Sequence, residues 1–276
     1  MTTEVIILAA GRGSRLGALT DETPKCLTEL AGRPLIAWQL RALAEAGLDR
    51  VGLVTGYAAD RLAHLGLPSI HNPRWEETNM VSSLLCAEAA LRSEDDLIVS
   101  YGDIVYEPRI VSALRDSDGA IATVIDLDWL KLWQLRSDDP LADAESLRLD
   151  SQGRITDIGQ GVASLGEIEG QYIGLTRFSA AGKRALLEFV ARDGTRDWPL
   201  SSSLDDTSFT DLLRGMIDTG MTIDAIPVRG GWLEVDTPED LAVYEAELAR
   251  PTIDGFFSLP RGAAERDAAT GDAATW

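Results

Sequence analysis

From residue 3 to residue 10 the chain reads TEVIILAA, a short apolar run rich in β-branched residues that stops at a glycine. Such a run predicts a strand buried on both faces, as in a parallel sheet. Residues 35–46 then place Leu35, Leu40 and Leu43 at helical spacing, with Gly47 as the C-cap. A second strand is expected over 50–55 and a short helix over 58–65. A longer helix is expected over 78–91, with Met80, Leu84, Ala87 and Leu91 on one face. A third strand, 96–100, runs into Tyr101-Gly102-Asp103. A helix over 107–115 and a fourth strand over 120–125 complete the alternation. This order predicts an α/β fold: a three-layer, Rossmann-like, mainly parallel sheet with right-handed crossovers.

The pattern changes after Asp126. Short runs at 147–149, 155–158 and 172–178, split by turns such as Ser151-Gln152-Gly153, read as a small mixed or antiparallel extension. That insertion, about 126–178, is expected to cover a second substrate. Helices over 180–191, 209–218 and 238–249, and a strand over 222–228, close a single domain spanning 1–250. The tail, 251–276, starts at Pro251 and turns Gly/Ala/Asp-rich after Pro260, so it is expected to be flexible.

Composition narrows the function. A net charge of -20 argues against nonspecific nucleic-acid binding, which needs a basic surface. It leaves room for a local basic site that binds one nucleotide. No run approaches eighteen apolar residues, so no membrane span is expected, and the run 5–10 is too short and lacks the basic flank of a secretory leader. Cys26 and Cys86 fit no disulfide or zinc framework and read as packed thiols in a reducing cytoplasm.

The chemistry gathers at Gly11-Arg12-Gly13-Ser14-Arg15-Leu16, followed by Pro24-Lys25. A glycine loop after a strand brings backbone N–H groups close to phosphates. Arg15 adds a forked donor and Lys25 a point charge. The loop lacks the third glycine of a dinucleotide-binding fingerprint and the Gly-Lys-Ser/Thr of a Walker loop. Asp103 follows a strand at its carboxyl end, where ligands of open α/β sheets bind. Asp103 and Asp236 could converge on Mg²⁺, which prefers oxygen ligands. Equally, Asp103 could be a turn residue, and Asp236 part of the helix start Thr237-Pro238-Glu239-Asp240. Asn79, Ser82 and Ser83 open a helix and could hold an anion or simply cap it. Trp129 and Trp133, one helical turn apart, could form an ammonium cage with Tyr172, Asp126 and Asp128, or could be ordinary core.

Beyond the loop, Pro24-Lys25-x-Leu27, Leu30-x-Gly32-x-Pro34-Leu35-Ile36, Gly102-Asp103 and Trp232-x-Glu234-Val235-Asp236-Thr237-Pro238 resemble the nucleotidyltransferases that make nucleoside-diphosphate sugars and related activated head groups. The run Asn79-Met80-Val81-x-Ser83-Leu84 and the segment 126–133 are most similar to the bacterial choline-phosphate and phosphonate cytidylyltransferases. The resemblance implies CTP as donor, Mg²⁺ on Asp103 and Asp236, and phosphocholine or a small phosphonate as acceptor. It implies Lys25 at the α-phosphate, Arg15 on the departing pyrophosphate, and the amides of Gly11, Arg12, Gly13 and Ser14 around the triphosphate. The base is expected against Leu8, Ala10 and Gly11 and against Tyr101 and Gly102. A sugar-1-phosphate enzyme using UTP, dTTP or GTP is the nearest alternative, and a non-catalytic nucleotide-binding protein a distant one. A homodimer is left open.

Overall fold

The structure, a computed structural model, describes residues 2–193, 203–248 and Phe257. In chain order the first half holds β1 (Thr3–Ala9), β2 (Glu29–Leu30), β3 (Arg33–Pro34), α1 (Leu35–Glu45), β4 (Val51–Thr55), β5 (Ser69–His71), α2 (Met80–Cys86), α3 (Glu88–Arg92), β6 (Asp96–Tyr101), β7 (Ile104–Tyr106), α4 (Pro108–Arg115) and β8 (Ile121–Asp126). The second half holds α5 (Trp129–Arg136), β9 (Glu145–Leu149), β10 (Ile155–Gly161), β11 (Gln171–Phe178), α6 (Ala180–Asp193), α7 (Phe209–Asp218), β12 (Asp224–Val228), β13 (Trp232–Glu234) and α8 (Pro238–Leu248).

Seven strands form one sheet in the order β12-β8-β11-β6-β1-β4-β5. All pairings are parallel except those of β11, which runs against both β6 and β8. The α/β class with a mainly parallel sheet is therefore as expected. The two-residue period of β1 explains the layers. Val5, Ile7 and Ala9 enter one core cluster and Ile6 and Leu8 the other, so the strand is covered on both faces. Helix α7 is fixed at its start by a reciprocal cap between Ser208 and Asp211.

Several expectations need correction. The run 172–178, assigned to the extension, is β11, an interior strand of the main sheet between β8 and β6. Its side chains are buried almost throughout, as a strand with neighbours on both sides requires. The hairpin β9–β10 alone forms the separate antiparallel piece. The single helix over 78–91 is two helices. At Ala87 the amide bonds Leu84 three residues back, rather than four, and ψ is 44°. The short helix expected over 58–65 is present as a 3₁₀ helix, Ala59–Leu65. The tail lies outside the described residues apart from Phe257, which is buried edge-on against Trp38. Among the described residues, no helix is long and apolar enough to cross a membrane.

Candidate active site

Asp103 and Asp236 are brought together by a ribbon too short to be read from the sequence. Strand β7, immediately after Asp103, pairs with β13, which ends two residues before Asp236, matching Ile104 to Glu234 and Tyr106 to Trp232. The Val235 amide also donates to the Asp103 carbonyl at 3.0 Å. Helix α8 is capped by its own residues: Thr237 Oγ1 accepts from the Asp240 amide, and Asp240 Oδ2 accepts from the amides of Asp236 and Thr237. The Asp236 side chain is thereby released from capping, and only 3% of it is exposed.

Lys25 supplies the opposing charge. Its ammonium lies 2.7 Å from Asp103 Oδ2 and also donates to Asp236 Oδ1. Arg15 reaches the same Asp236 oxygen at 3.1 Å. Burial alone would push the Lys25 ammonium down, but Asp103, Asp236 and Glu234 outweigh it, and the group is held above its ordinary value. Burial likewise pushes the Asp236 carboxyl up, yet Lys25, Arg15 and Arg136 leave it below the usual carboxylate range. Glu234 is raised by burial and by the neighbouring Asp236.

The carboxylates of Asp103, Glu234 and Asp236 have oxygens within 4.8 Å of one another. Asp103 Oδ1 is buried without a hydrogen-bond partner. An all-oxygen anionic set with an orphaned buried oxygen fits a hard divalent cation. Glu234 was not among the sequence-predicted ligands. Its signal is the Glu-x-Asp spacing, because residues two apart in extended chain share a face.

The glycine loop walls a cleft at the carboxyl ends of β1 and β6. Leu8, Gly11, Gly13, Tyr101 and Gly102 line it, together with Lys25 and Asp103; Ala9, Cys26 and Met80 join them without having been predicted. Gly13 has φ +71°, and a Cβ there would meet the Lys25 stem at 2.8 Å, so turn and lysine pack as one unit. Ala10, Arg12 and Ser14 stand beside the cleft. The Ala10 carbonyl accepts from the Tyr57 amide, Arg12 pairs with Asp21 at 2.9 Å, and Ser14 opens the turn Ser14–Thr20.

The expected acceptor residues are not gathered in one place. Asn79 caps α2 and donates to the Asp206 carbonyl, while Ser82 donates to Asp205 at 3.2 Å. Ser83 is buried and accepts from Asn72. A carboxylate, Asp205, thus sits beside this helix start, where an anionic ligand was expected. Trp129 and Trp133 pack with Trp232 in one core layer. Tyr172 stacks on Phe209 in the other layer and meets Tyr101 edge-on. The cage acids are engaged as well: Asp126 accepts from Gly230 and Trp232, and Asp128 pairs with Lys131 and Arg229.

Comparison with known proteins adds independent findings. Residues 5–153 match the family described as MobA-like NTP transferase domain. The chain is 36% identical over 250 residues to the CTP:phosphoglutamine cytidylyltransferase of Campylobacter jejuni, covering 86% of this chain and 97% of that one. It is 29% identical over 202 residues to the 2-aminoethylphosphonate cytidylyltransferase of Lancefieldella rimae, covering 68% and 72%. The structure of the CTP:phosphocholine cytidylyltransferase from Streptococcus pneumoniae shares the fold, with TM-score 0.67 over 89% of this chain and 99% of that one at 19% identity.

Proposed function

The chain belongs to the MobA-like NTP transferase family, and we propose that it transfers CMP from CTP to a small acceptor bearing a phosphate or phosphonate, releasing pyrophosphate. The observation that carries this reading is the meeting of Lys25 with Asp103 and Asp236 beside a cleft walled by the glycine loop. Such a grouping is suited to neutralising phosphate charge, which is most of what phosphoryl transfer asks of a protein. The donor CTP is supported by the names of the relatives that align along most of the chain. Phosphoglutamine is the favoured acceptor, because the relative named for it aligns over 97% of its own length.

In this reading an acceptor oxygen, already anionic at neutral pH, attacks the α-phosphorus in line. The bond to the bridging oxygen of the β-phosphate breaks, and pyrophosphate leaves with the electron pair. No strong general base is needed. Lys25 neutralises the α-phosphate, and exposed Arg15 holds the leaving pyrophosphate. The amides of the loop from Gly11 to Ser14 cradle the triphosphate. The base rests against Leu8 and the Tyr101-Gly102 segment. Asp103, Glu234 and Asp236 would hold Mg²⁺, which when bound supplies further charge neutralisation at phosphate oxygens. A reducing cytoplasm suits the two free cysteines.

A pyrophosphate-release screen tests the reading. It crosses CTP, UTP, GTP, ATP and dTTP with phosphoglutamine, 2-aminoethylphosphonate, phosphocholine and glucose 1-phosphate. Release is expected with CTP and phosphoglutamine. Activity confined to glucose 1-phosphate would replace the acceptor and spare the reaction class. Silence in every pairing would sink the transferase reading.

A further inference from the structure

No sequence signal marks Arg136, the last residue of α5, yet its side chain is only 7% exposed and lies behind the acid cluster. Its Nη1 donates to Glu234 Oε2 at 2.9 Å, its Nη2 lies 3.4 Å from Asp236 Oδ2, and its Nε donates to Asp240 Oδ1 at 3.0 Å. The guanidinium lies 5.3 Å from the centre of the Trp133 ring. Asp240 is itself fixed, because its other oxygen accepts the amides of Asp236 and Thr237. The two oxygens of Asp236 are therefore divided. Oδ1 faces Lys25 and Arg15, and Oδ2 faces Arg136.

We propose that Arg136 is a positioning residue: by holding Glu234 Oε2 and Asp236 Oδ2 from behind, it presents the other oxygens of these carboxylates to a divalent cation. The inference rests on the acid cluster as a cation site and not on the identity of the nucleotide or acceptor. A planar fork can fix several carboxylates at set angles, which a lysine ammonium cannot. A mere counter-charge would act in the opposite sense. It would repel the cation, and its loss would tighten cation binding. The sign of the change in affinity separates the two roles.

The test titrates Mn²⁺, a cation suited to oxygen ligands, into the full chain with and without CTP, reading free Mn²⁺ by electron paramagnetic resonance. Arg136→Lys keeps the charge and loses the fork. It is expected to weaken Mn²⁺ binding by about tenfold or more, as loss of a ligand-orienting partner does, with the far-ultraviolet circular dichroism unchanged. Arg136→Gln, which loses both fork and charge, is expected to weaken it as well, whereas loss of a mere counter-charge would tighten it. Unchanged or tighter Mn²⁺ binding by folded Arg136→Lys overturns the proposal, as does a wild-type chain that takes up no Mn²⁺ in either condition. If Arg136→Lys does not fold, Arg136→Gln decides by the same criterion. Failure of the cytidylyl-transfer reading would show instead as absent pyrophosphate release, with the Mn²⁺ titrations untouched.

Discussion

The Lys25 ammonium nitrogen lies 2.7 Å from Asp103 Oδ2, across 78 positions of chain. Two local features produce this contact. The Gly13 turn abuts the Lys25 stem and sets its direction, and the β7–β13 ribbon holds the Asp103 loop against the Asp236 loop. Because three carboxylates outweigh burial, the ammonium stays charged throughout the physiological range. A charged Lys25 fits its proposed role as a fixed point charge rather than as a base.

Replacing that charge should abolish most turnover. Lys25→Ala is expected to lower kcat for pyrophosphate release by about 10²–10³, the cost of losing one preorganised donor to a developing charge. The fold should persist, because the β-sheet core does not include the side chain. Steady-state rates and circular dichroism on the same preparation check both parts. Near-normal turnover would remove Lys25 from the chemistry.

Gly102 is a second sensitive point. A Cβ at this position would come within 2.6 Å of the Leu8 carbonyl oxygen, which is backbone and cannot rotate away. Gly102→Ala must push β1 and β6 apart where both reach the cleft. A loss of about 1–3 kcal/mol is expected, as for other overpacked sites, measured by urea unfolding. Wild-type stability would mean that the two strand ends are not in close contact.

What the sequence reveals and what it hides follow from range. β1 and its glycine loop are legible because a continuous apolar run and the residues that end it are local. Asp103 is legible because it ends such a run, and Lys25 and Asp236 because they stand in the local motifs Pro24-Lys25-x-Leu27 and Trp232-x-Glu234-Val235-Asp236. β7 and β13 are three residues each, too short to display a period. Their partnership, and with it the place of Glu234, exists only through pairing across the chain. The place of β11 inside the main sheet, rather than its antiparallel direction, is hidden for a related reason: a buried run looks alike whichever strands flank it. Trp129 and Trp133 mislead because a spacing of four serves a core stripe as well as a ligand cage. Arg136 is a single arginine at a helix end, and its meaning comes entirely from Glu234, Asp236 and Asp240, about a hundred positions away.

The two thiols should differ sharply in reactivity. Burial pushes the Cys26 thiol up to about 12, and Cys86 is also raised by burial but is partly exposed. Since the thiolate is the nucleophile, iodoacetamide at pH 8 should label Cys86 in the native chain and spare Cys26 until the chain is unfolded. Peptide mass spectrometry reads the two sites separately. Equal native rates would show that the floor of the cleft opens far more than its packing implies.

Glu145 offers a test of stability against pH. Burial pushes its carboxyl above the ordinary value, with Asp211 and Asp143 adding to the effect and Thr210 opposing it. The sign follows from linkage. Below the unfolded value, both states hold the proton and the group contributes nothing. As pH rises through that value, the unfolded chain ionises first and is favoured, so stability falls until the folded group ionises too, and the deficit then persists. Glu145→Gln removes the deficit. The variant is expected to melt above wild type at pH 7.5, with most of the difference gone by about pH 4.5, where the unfolded carboxyl regains its proton. Differential scanning calorimetry at the two pH values reads this directly. A difference that grew on acidification would show that the folded chain favours the charged form of Glu145.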